Sequence, residues 1–484
     1  MTDPHVPAAR LADYLAHHAS RTLFACEGGQ RVGYVEVLAL ADSAAFRATQ
    51  HRLVFCLTEN APDALVGYLA LLRAGAVPLM LSANLPAPQL QRLMAAYQPA
   101  FVWLAQARGT ELPQAHSVHS HAAYTLLANP NVPAYAMHDD LALLLSTSGS
   151  TGSPKFVRLS QRNILSNAQA IAQYLAITPD DRPITTLPPS YTYGLSILHS
   201  HLVQGCMLAL TNRTLLDRAF WAFLALVQAS SLGGVPYHYE LLKKLRLSRM
   251  DVPSLHTLTQ AGGRMPAELS REFAAHCEAR GMRFFTMYGQ VEATARIAYL
   301  SPPLAVTKAG SIGRAISGGE LWLSDAAGAR LDAPGASGQL VYHGPNVCMG
   351  YAHGYGDLAR GDEMGGTIYT GDMACRDADG DYTIVGRLKR FIKLFGHSVH
   401  LQDIEEELAA AGHTVACAGV DDQLDIYLAL AGAASAASIK AQLVEQFKIS
   451  PAAIRVWGIE AIPRNEAGKI QYAELTALHG AALA

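Results

Sequence analysis

Leu144-Leu145-Ser146-Thr147-Ser148-Gly149-Ser150-Thr151-Gly152-Ser153-Pro154-Lys155 decides how this chain is read. An apolar run enters a stretch of eight small residues, closed by a proline and a lysine. Gly149 and Gly152 let the backbone approach a ligand closely. Ser146, Thr147, Ser148, Ser150, Thr151 and Ser153 bring hydroxyls to the same loop, and Lys155 adds a positive charge. Backbone N–H groups, hydroxyls and an ammonium are what a polyphosphate needs around it. A Ser/Gly linker has similar composition, but linkers seldom follow an apolar run or end in Pro-Lys. A Walker A loop requires Gly-x4-Gly-Lys-Ser/Thr. Here Ser153 and Pro154 separate Gly152 from Lys155, and Phe156 follows, so that class is excluded on spacing.

Outward from this loop, short Val/Leu/Ile-rich runs alternate with helical stretches. Strands are expected over residues 53–57, 76–81, 100–104 and 141–145, and helices over 63–74 and 162–175. That alternation predicts layered α/β architecture with largely parallel sheets. From about residue 310 the segments shorten and glycines multiply: 320–324, 338–342 and 382–385 read as strands of a small, bent β-subdomain. After Gly386 the chain returns to mixed α/β, with helices expected over 402–411 and 437–447. A large N-terminal domain over 1–386, including the β-rich part 310–386, and a small C-terminal domain over 387–484 follow.

The chain has 484 residues, half of them hydrophobic, with 16% charged and a formal net charge of −3. This gives no reason to expect a nucleic-acid partner. Cys26, Cys56, Cys206, Cys277, Cys348, Cys375 and Cys417 are odd in number and form no C-x-x-C pair. They read as reduced thiols of a cytoplasmic protein. No signal peptide is evident in residues 1–20, and the most apolar window, 64–83, is interrupted by Arg73, Gly75 and Pro78. Helix, turn and buried strand fit it better than a membrane span. His116, His119 and His121 read as solvated loop histidines and not as metal ligands.

Three further blocks carry chemistry. In Met287-Tyr288-Gly289-Gln290-Val291-Glu292-Ala293-Thr294, Tyr288 can stack on a planar base and Glu292 can hold Mg²⁺ on phosphates. In Tyr369-Thr370-Gly371-Asp372, an aspartate after a glycine turn can accept both hydroxyls of a ribose; Gly386-Arg387-Leu388-Lys389 follows fourteen residues later and leads into Lys393 and Gly396. In Pro463-Arg464-Asn465-Glu466-Ala467-Gly468-Lys469, a lysine presented after a glycine can meet a carboxylate and an α-phosphate together.

These four blocks, in this order, resemble the adenylate-forming (AMP-forming) acid:thiol ligases: acyl-CoA synthetases, peptide-synthetase adenylation domains and luciferases. The resemblance implies ATP and Mg²⁺ as cofactors, a mobile C-terminal lid, and two half-reactions, acyl-AMP formation and then transfer to a thiol. It assigns catalytic roles to Lys469, Glu292, Lys155 and Thr151, with Glu292 on the metal. Nucleotide binding falls to Thr147, Ser148, Gly149, Ser150, Thr151, Gly152, Lys155, Tyr288, Gly289, Asp372 and Arg387. Lys389 becomes the hinge, and Lys393 with Gly396 face the thiol tunnel. Val291 stands where the family usually has threonine and cannot donate a hydrogen bond to phosphate.

The stretch 187–194 resembles the family's acyl-pocket block, and Tyr191, Thr192, Tyr193, Val235, Pro236, Tyr237 and Gly263 are the expected pocket wall. Amino-acid-activating relatives place an aspartate after the aromatic residue; here Thr192 follows Tyr191, so no carboxylate balances a substrate ammonium. A small carboxylic acid that is not an α-amino acid is expected. The acceptor is coenzyme A or the phosphopantetheine of a separate carrier protein, since no carrier motif follows Lys469. Two alternatives stand beside this reading: an acyl-AMP ligase serving a non-CoA acceptor, and a catalytically silent nucleotide-binding relative.

Overall fold

The structure, a computed structural model, describes residues 10–130, 132–146, 155–388, 391–394, 397–420, 422–429, 436–447, 449–465, 468 and 470–475. The chain divides into two compact units. Of the described residues, the larger takes those up to Glu320 together with Tyr342–Ile368, and the smaller takes Leu321–Val341 and those from Tyr369 onward.

The larger unit holds two sheets. In one, Val77–Ser82, Leu53–Thr58 and Phe101–Ala105 run parallel, and Leu141–Ser146 joins them through Leu79 against Leu144. Phe156–Ser160 and Gly350–Ala352 then extend one side antiparallel. Parallel neighbours need a crossover, and the helix Pro62–Ala74 supplies one. Pro62 sits in its first turn, and Gly75 ends it with φ 80°, a conformation that costs glycine little. Trp103 Nε1 donates to Ala64 O at 3.1 Å, pinning that helix to the sheet. Every residue of Leu53–Thr58 is buried, as a strand covered on both faces requires. The second sheet has nine strands. Its parallel centre runs from Thr22–Cys26 through Leu208–Leu210, Pro183–Thr185, Ser231–Gly234 and Thr257–Gln260 to Arg283–Tyr288, and antiparallel strands close both edges.

The apolar runs therefore fold as their composition predicts, with ends shifted by a residue or so. One reading is corrected. His116–His121 is not a loop but an edge strand, antiparallel to Tyr124–Ala128. An edge strand with no fully buried face needs no apolar run, so composition gave no strand signal there.

The smaller unit contains a five-stranded sheet, ordered Arg330–Leu331, Glu320–Ser324, Ser337–His343, Thr367–Arg376, Tyr382–Arg387. It also contains a compact α/β part in which Val415–Val420, Gln423–Ala429 and Ile454–Ile459 form a sheet. The helix Ala436–Phe447 makes the crossover between the parallel pair Gln423–Ala429 and Ile454–Ile459. All seven cysteines are free, and only Cys375 is not fully buried. Among the described residues no helix is long and apolar enough to cross a membrane.

Candidate active site

Leu141–Ser146 and Phe156–Ser160 pair antiparallel, with Ser146 opposite Phe156, so the phosphate-loop candidate links two antiparallel strands. The next helix, Gln161–Tyr174, starts only after the second strand. A Walker A loop leads straight into a helix, so the topology agrees with the exclusion made on spacing. Thr147, Ser148, Gly149, Ser150, Thr151 and Gly152 lie outside the described residues. Lys155 is described: its Nζ lies 3.4 Å from the centroid of the Tyr351 ring. The Tyr351 hydroxyl in turn donates to Glu292 Oε1 at 3.0 Å. Burial first, and the Glu292 charge second, hold the phenol well above its usual range, so it stays a proton donor to the carboxylate. Tyr351 thus joins two charged residues that the sequence reading drew from separate blocks.

Sequence reasoning missed both Tyr351 and the group that places it. Arg158, wholly buried, donates from Nε to Tyr351 O at 3.1 Å and from Nη2 to Met349 O at 3.1 Å, and meets Glu363 Oε2 at 2.5 Å. It locks the strand Gly350–Ala352 in place over Phe156–Ser160.

Glu292 sits on a short 3-10 turn, Val291–Ala293. Gly289 before it has no room for a side chain, because a Cβ there would lie 1.9 Å from Ala295 O. After it, Thr294 adopts φ 63°, ψ −58°, a conformation that non-glycine residues hold only when the surroundings enforce it. The enforcement is visible. Thr294 Oγ1 donates to Asn346 O at 2.7 Å, Asn346 Nδ2 donates to Ala293 O at 2.9 Å and Arg296 O at 2.8 Å, and Cys348 N donates to Glu292 O at 2.8 Å. Thr192 Oγ1 donates to Thr294 O. Val291 is 6% exposed and packs in the apolar core.

Tyr191, Val235, Pro236 and Gly263 come together. A Cβ on Gly262 would lie 2.4 Å from the Tyr191 hydroxyl and 3.1 Å from Val235 Cγ1, and one on Gly263 would lie 3.2 Å from Pro236 Cγ. Tyr237 is half-buried at the start of the helix Pro236–Lys244. Tyr193 is different: it is 1% exposed, and its hydroxyl meets Thr259 O and Thr259 Oγ1, each at 2.8 Å. It is held inside the larger unit against the strand Thr257–Gln260. Burial pushes Tyr191 and Tyr193 up to about 12.

In the smaller unit, Thr367–Arg376 and Tyr382–Arg387 pair antiparallel, with Asp372 opposite Arg387. Arg387 Nε donates to Asp372 Oδ1 at 2.6 Å. Lys393 lies on the strand Phe391–Leu394, opposite Ser398. Gly468, with φ 74°, closes a turn in which its N–H donates to Asn465 O at 2.8 Å, and Arg464 bridges to Ile470 across it. Lys389, Gly396 and Lys469 lie outside the described residues.

Among the described residues, no group of three or more His, Cys, Asp and Glu side chains forms a metal cage. Glu292 offers a single carboxylate, a donor set that suits Mg²⁺, which keeps waters and takes its other ligands from substrate phosphates.

In the larger unit a lysine and a carboxylate are thus joined through Tyr351, and in the smaller unit an aspartate and an arginine pair across two strands. Residues 11–352 match the family profile described as "AMP-binding enzyme", well over half of the chain, and the chain belongs to that family. It is 29% identical to feruloyl-CoA synthase of Amycolatopsis sp over 300 residues, 59% of this chain and 57% of that protein. It is 30% identical to indoleacetate–CoA ligase of Aromatoleum aromaticum over 403 residues, 78% of this chain and 77% of that one. The chain spans little more than half the length of the first curated relatives it matches. The fold is shared with O-succinylbenzoate coenzyme A synthetase of Bacillus subtilis, solved with ATP and a magnesium ion. The TM-score is 0.77 and the identity 22%, over 96% of this chain and 99% of that one.

Proposed function

We propose that this chain activates a carboxylic acid with ATP and passes the acyl group to a thiol. In the first half-reaction a carboxylate oxygen attacks the α-phosphorus, the α–β phosphoanhydride bond breaks, and pyrophosphate leaves with the electron pair. In the second, a thiol sulfur attacks the acyl carbon and AMP leaves. The observation that carries this reading is the Lys155–Tyr351–Glu292 chain, which ties a cation and a carboxylate to one tyrosine. ATP is the nucleotide, and Mg²⁺ bound at Glu292 supplies charge neutralisation on its phosphates. Asp372 holds the ribose while Arg387 orients that carboxylate. Tyr288 stacks on the base, and residues 147–152 and Lys155 bind phosphate. Lys469 balances the charge where carboxylate meets phosphorus. Tyr191, Val235, Pro236, Tyr237 and Gly263 form the wall against the acid.

The lid comprises residues 387–484 and turns about Lys389, with 1–386 as the body. Lys393 and Gly396 then meet the thiol. Thr192, whose hydroxyl is engaged by the Thr294 carbonyl, leaves no carboxylate for an ammonium at that point, so the acid is not an α-amino acid. Coenzyme A is the acceptor most of the relatives' names support; a separate carrier protein is the other thiol source, and the cytoplasm is the setting.

ATP–pyrophosphate exchange across short-chain, hydroxy, aryl, fatty and amino acids tests this. Exchange with one acid class, lost in Lys469→Ala while that variant still converts supplied acyl-AMP to thioester, is the expected result. ATP binding without exchange for any acid overturns it.

A further inference from the structure

Arg158 lies on the strand Phe156–Ser160 with its side chain wholly buried. A guanidinium carries five N–H donors, and here each has an acceptor. Nε donates to Tyr351 O at 3.1 Å. Nη1 donates to Gly361 O at 3.2 Å and to Arg360 O. Nη2 donates to Met349 O at 3.1 Å and to Glu363 Oε2 at 2.5 Å. Glu363 is the counter-charge, 42% exposed, and Arg360 Nε lies 3.4 Å from its second oxygen. Gly350 makes room for the pair. Its φ is 123°, and a Cβ there would lie 2.7 Å from Glu363 Oε2 and 2.9 Å from Arg158 Nη2.

Cohesion of the core does not call for this arrangement. Taking a cation out of water is costly, and well-packed apolar residues in place of a buried ion pair are often neutral or stabilising. What a planar fork supplies and an apolar side chain cannot is direction, because it fixes carbonyls at set angles. The carbonyls it fixes belong to the segment that handles Glu292. Cys348 N donates to Glu292 O at 2.8 Å, and the Tyr351 hydroxyl donates to Glu292 Oε1 at 3.0 Å. Met349 and Tyr351, the next residue along and the tyrosine itself, are the two that Arg158 grips. The Tyr351 ring also lies under Lys155 Nζ, and Lys155 leads directly into the strand that carries Arg158.

We propose that Arg158 and Glu363 are positioning residues for ATP. Glu363 holds Arg158, and Arg158 sets the Tyr351 hydroxyl on Glu292, the carboxylate that meets the phosphate-bound Mg²⁺. Neither residue touches the nucleotide. This rests on the reading of Glu292 and Lys155 as the phosphate site.

The test is a double-variant cycle on the full chain, with calorimetric titration of ATP in the presence of Mg²⁺. It compares the native protein, Glu363→Gln, Tyr351→Phe and the two combined. Glutamine keeps an acceptor for Nη2 and removes the charge at a partly exposed position. Glu363→Gln should weaken ATP binding about fivefold in the native background. In the Tyr351→Phe background the hydroxyl being positioned is already gone, so the loss should fall below about twofold. Gly350→Ala pushes the pair aside with both charges intact; it should weaken binding by about fivefold or more, and serves where Glu363→Gln fails to fold. The same factor in both backgrounds overturns the proposal, as does native affinity in both Glu363→Gln and Gly350→Ala. Conversion of supplied acyl-AMP to thioester should stay within about twofold of native in Glu363→Gln, and a parallel loss there would show a general structural role instead. Pyrophosphate exchange separates the two levels. A native protein that binds ATP but exchanges with no acid sinks acid activation, while the cycle on ATP binding still decides the role of the pair. Normal exchange beside an additive cycle sinks the positioning role and leaves acid activation standing.

Discussion

Tyr351→Phe is the substitution that tests the site most directly. The phenol donates to Glu292 Oε1 at 3.0 Å, and its ring lies under Lys155 Nζ at 3.4 Å. Phenylalanine keeps the ring and removes only the hydroxyl. A hydrogen bond to a charged group contributes about 1.5–3 kcal/mol, and Tyr351 is only half-buried, so about 1.5 kcal/mol is the fitting figure. That corresponds to about a tenfold loss in kcat/KM for ATP in pyrophosphate exchange. Tyr351→Leu also removes the ring beneath Lys155, a cation–π contact worth about 1 kcal/mol at a partly exposed site, for roughly a further fivefold. The strand register, Tyr351 opposite Val157, and the Arg158 bond to the Tyr351 carbonyl use backbone atoms that both variants retain. The unfolding midpoint of Tyr351→Phe should therefore stay within a few degrees of native. Native exchange rates in Tyr351→Phe, or equal losses in both variants, would refute the role given to the hydroxyl.

Asp372→Asn weakens the acceptor that Arg387 Nε holds at 2.6 Å and should raise KM for ATP by about tenfold with a smaller change in kcat, measured by the same exchange. An unchanged KM would remove Asp372 from the nucleotide site. Gly289→Ala puts a Cβ where Ala295 O stands at 1.9 Å, so the Glu292 turn must move; exchange should fall by more than about tenfold, and native activity would show that the turn is pliable. Stability should depend on two buried imidazoles. Burial pushes His199 down to about 3 and His201 down to about 4, each below an unfolded value of about 6.5. The unfolded chain takes up these protons first, so the stability is fully present above about pH 6.5 and is lost as pH falls towards about 4, by about 1.4 kcal/mol per pH unit for each histidine. Urea midpoints at about pH 7.5 and about pH 5 check this; equal midpoints would show that neither histidine is held neutral.

Much of this was readable from local chemistry. Strands such as Leu53–Thr58 and Leu141–Ser146 are buried on both faces, so they appear in the sequence as continuous apolar runs. Asp372 and Arg387, fifteen residues apart, face one another because a tight antiparallel return brings them together. What stayed hidden depends on pairing across long stretches of chain. Tyr351 reaches Glu292 from 59 residues away, and Arg158 reaches Glu363 across 205. A Gly-Tyr step or an Arg in an apolar strand carries no local mark of such partners. The edge strand His116–His121 was hidden for the opposite reason: it lacks the buried face that produces a pattern.

The segment proposed to bind the acid shows how a sequence argument can leave a residue's work unseen. The absence of an aspartate after Tyr191 bears on the substrate, but Thr192 is not simply a vacancy in that position. Its hydroxyl donates to the carbonyl of Thr294, whose backbone stands at φ 63° two residues beyond Glu292. Asn346 grips the same turn from the other side through Ala293 and Arg296. A sparsely populated backbone conformation costs about 1–3 kcal/mol and lasts only where several contacts enforce it. The helix Thr192–Leu202, proposed to begin the acid pocket, is thus bonded to the turn that carries Glu292. On the proposed function, an acid that shifts Thr192–Leu202 would be felt at Glu292, coupling acid recognition to ATP positioning through the Thr192 hydroxyl. Thr192→Val should accordingly weaken exchange through ATP as well as through the acid, whereas a threonine serving only the pocket would alter the acid's KM alone.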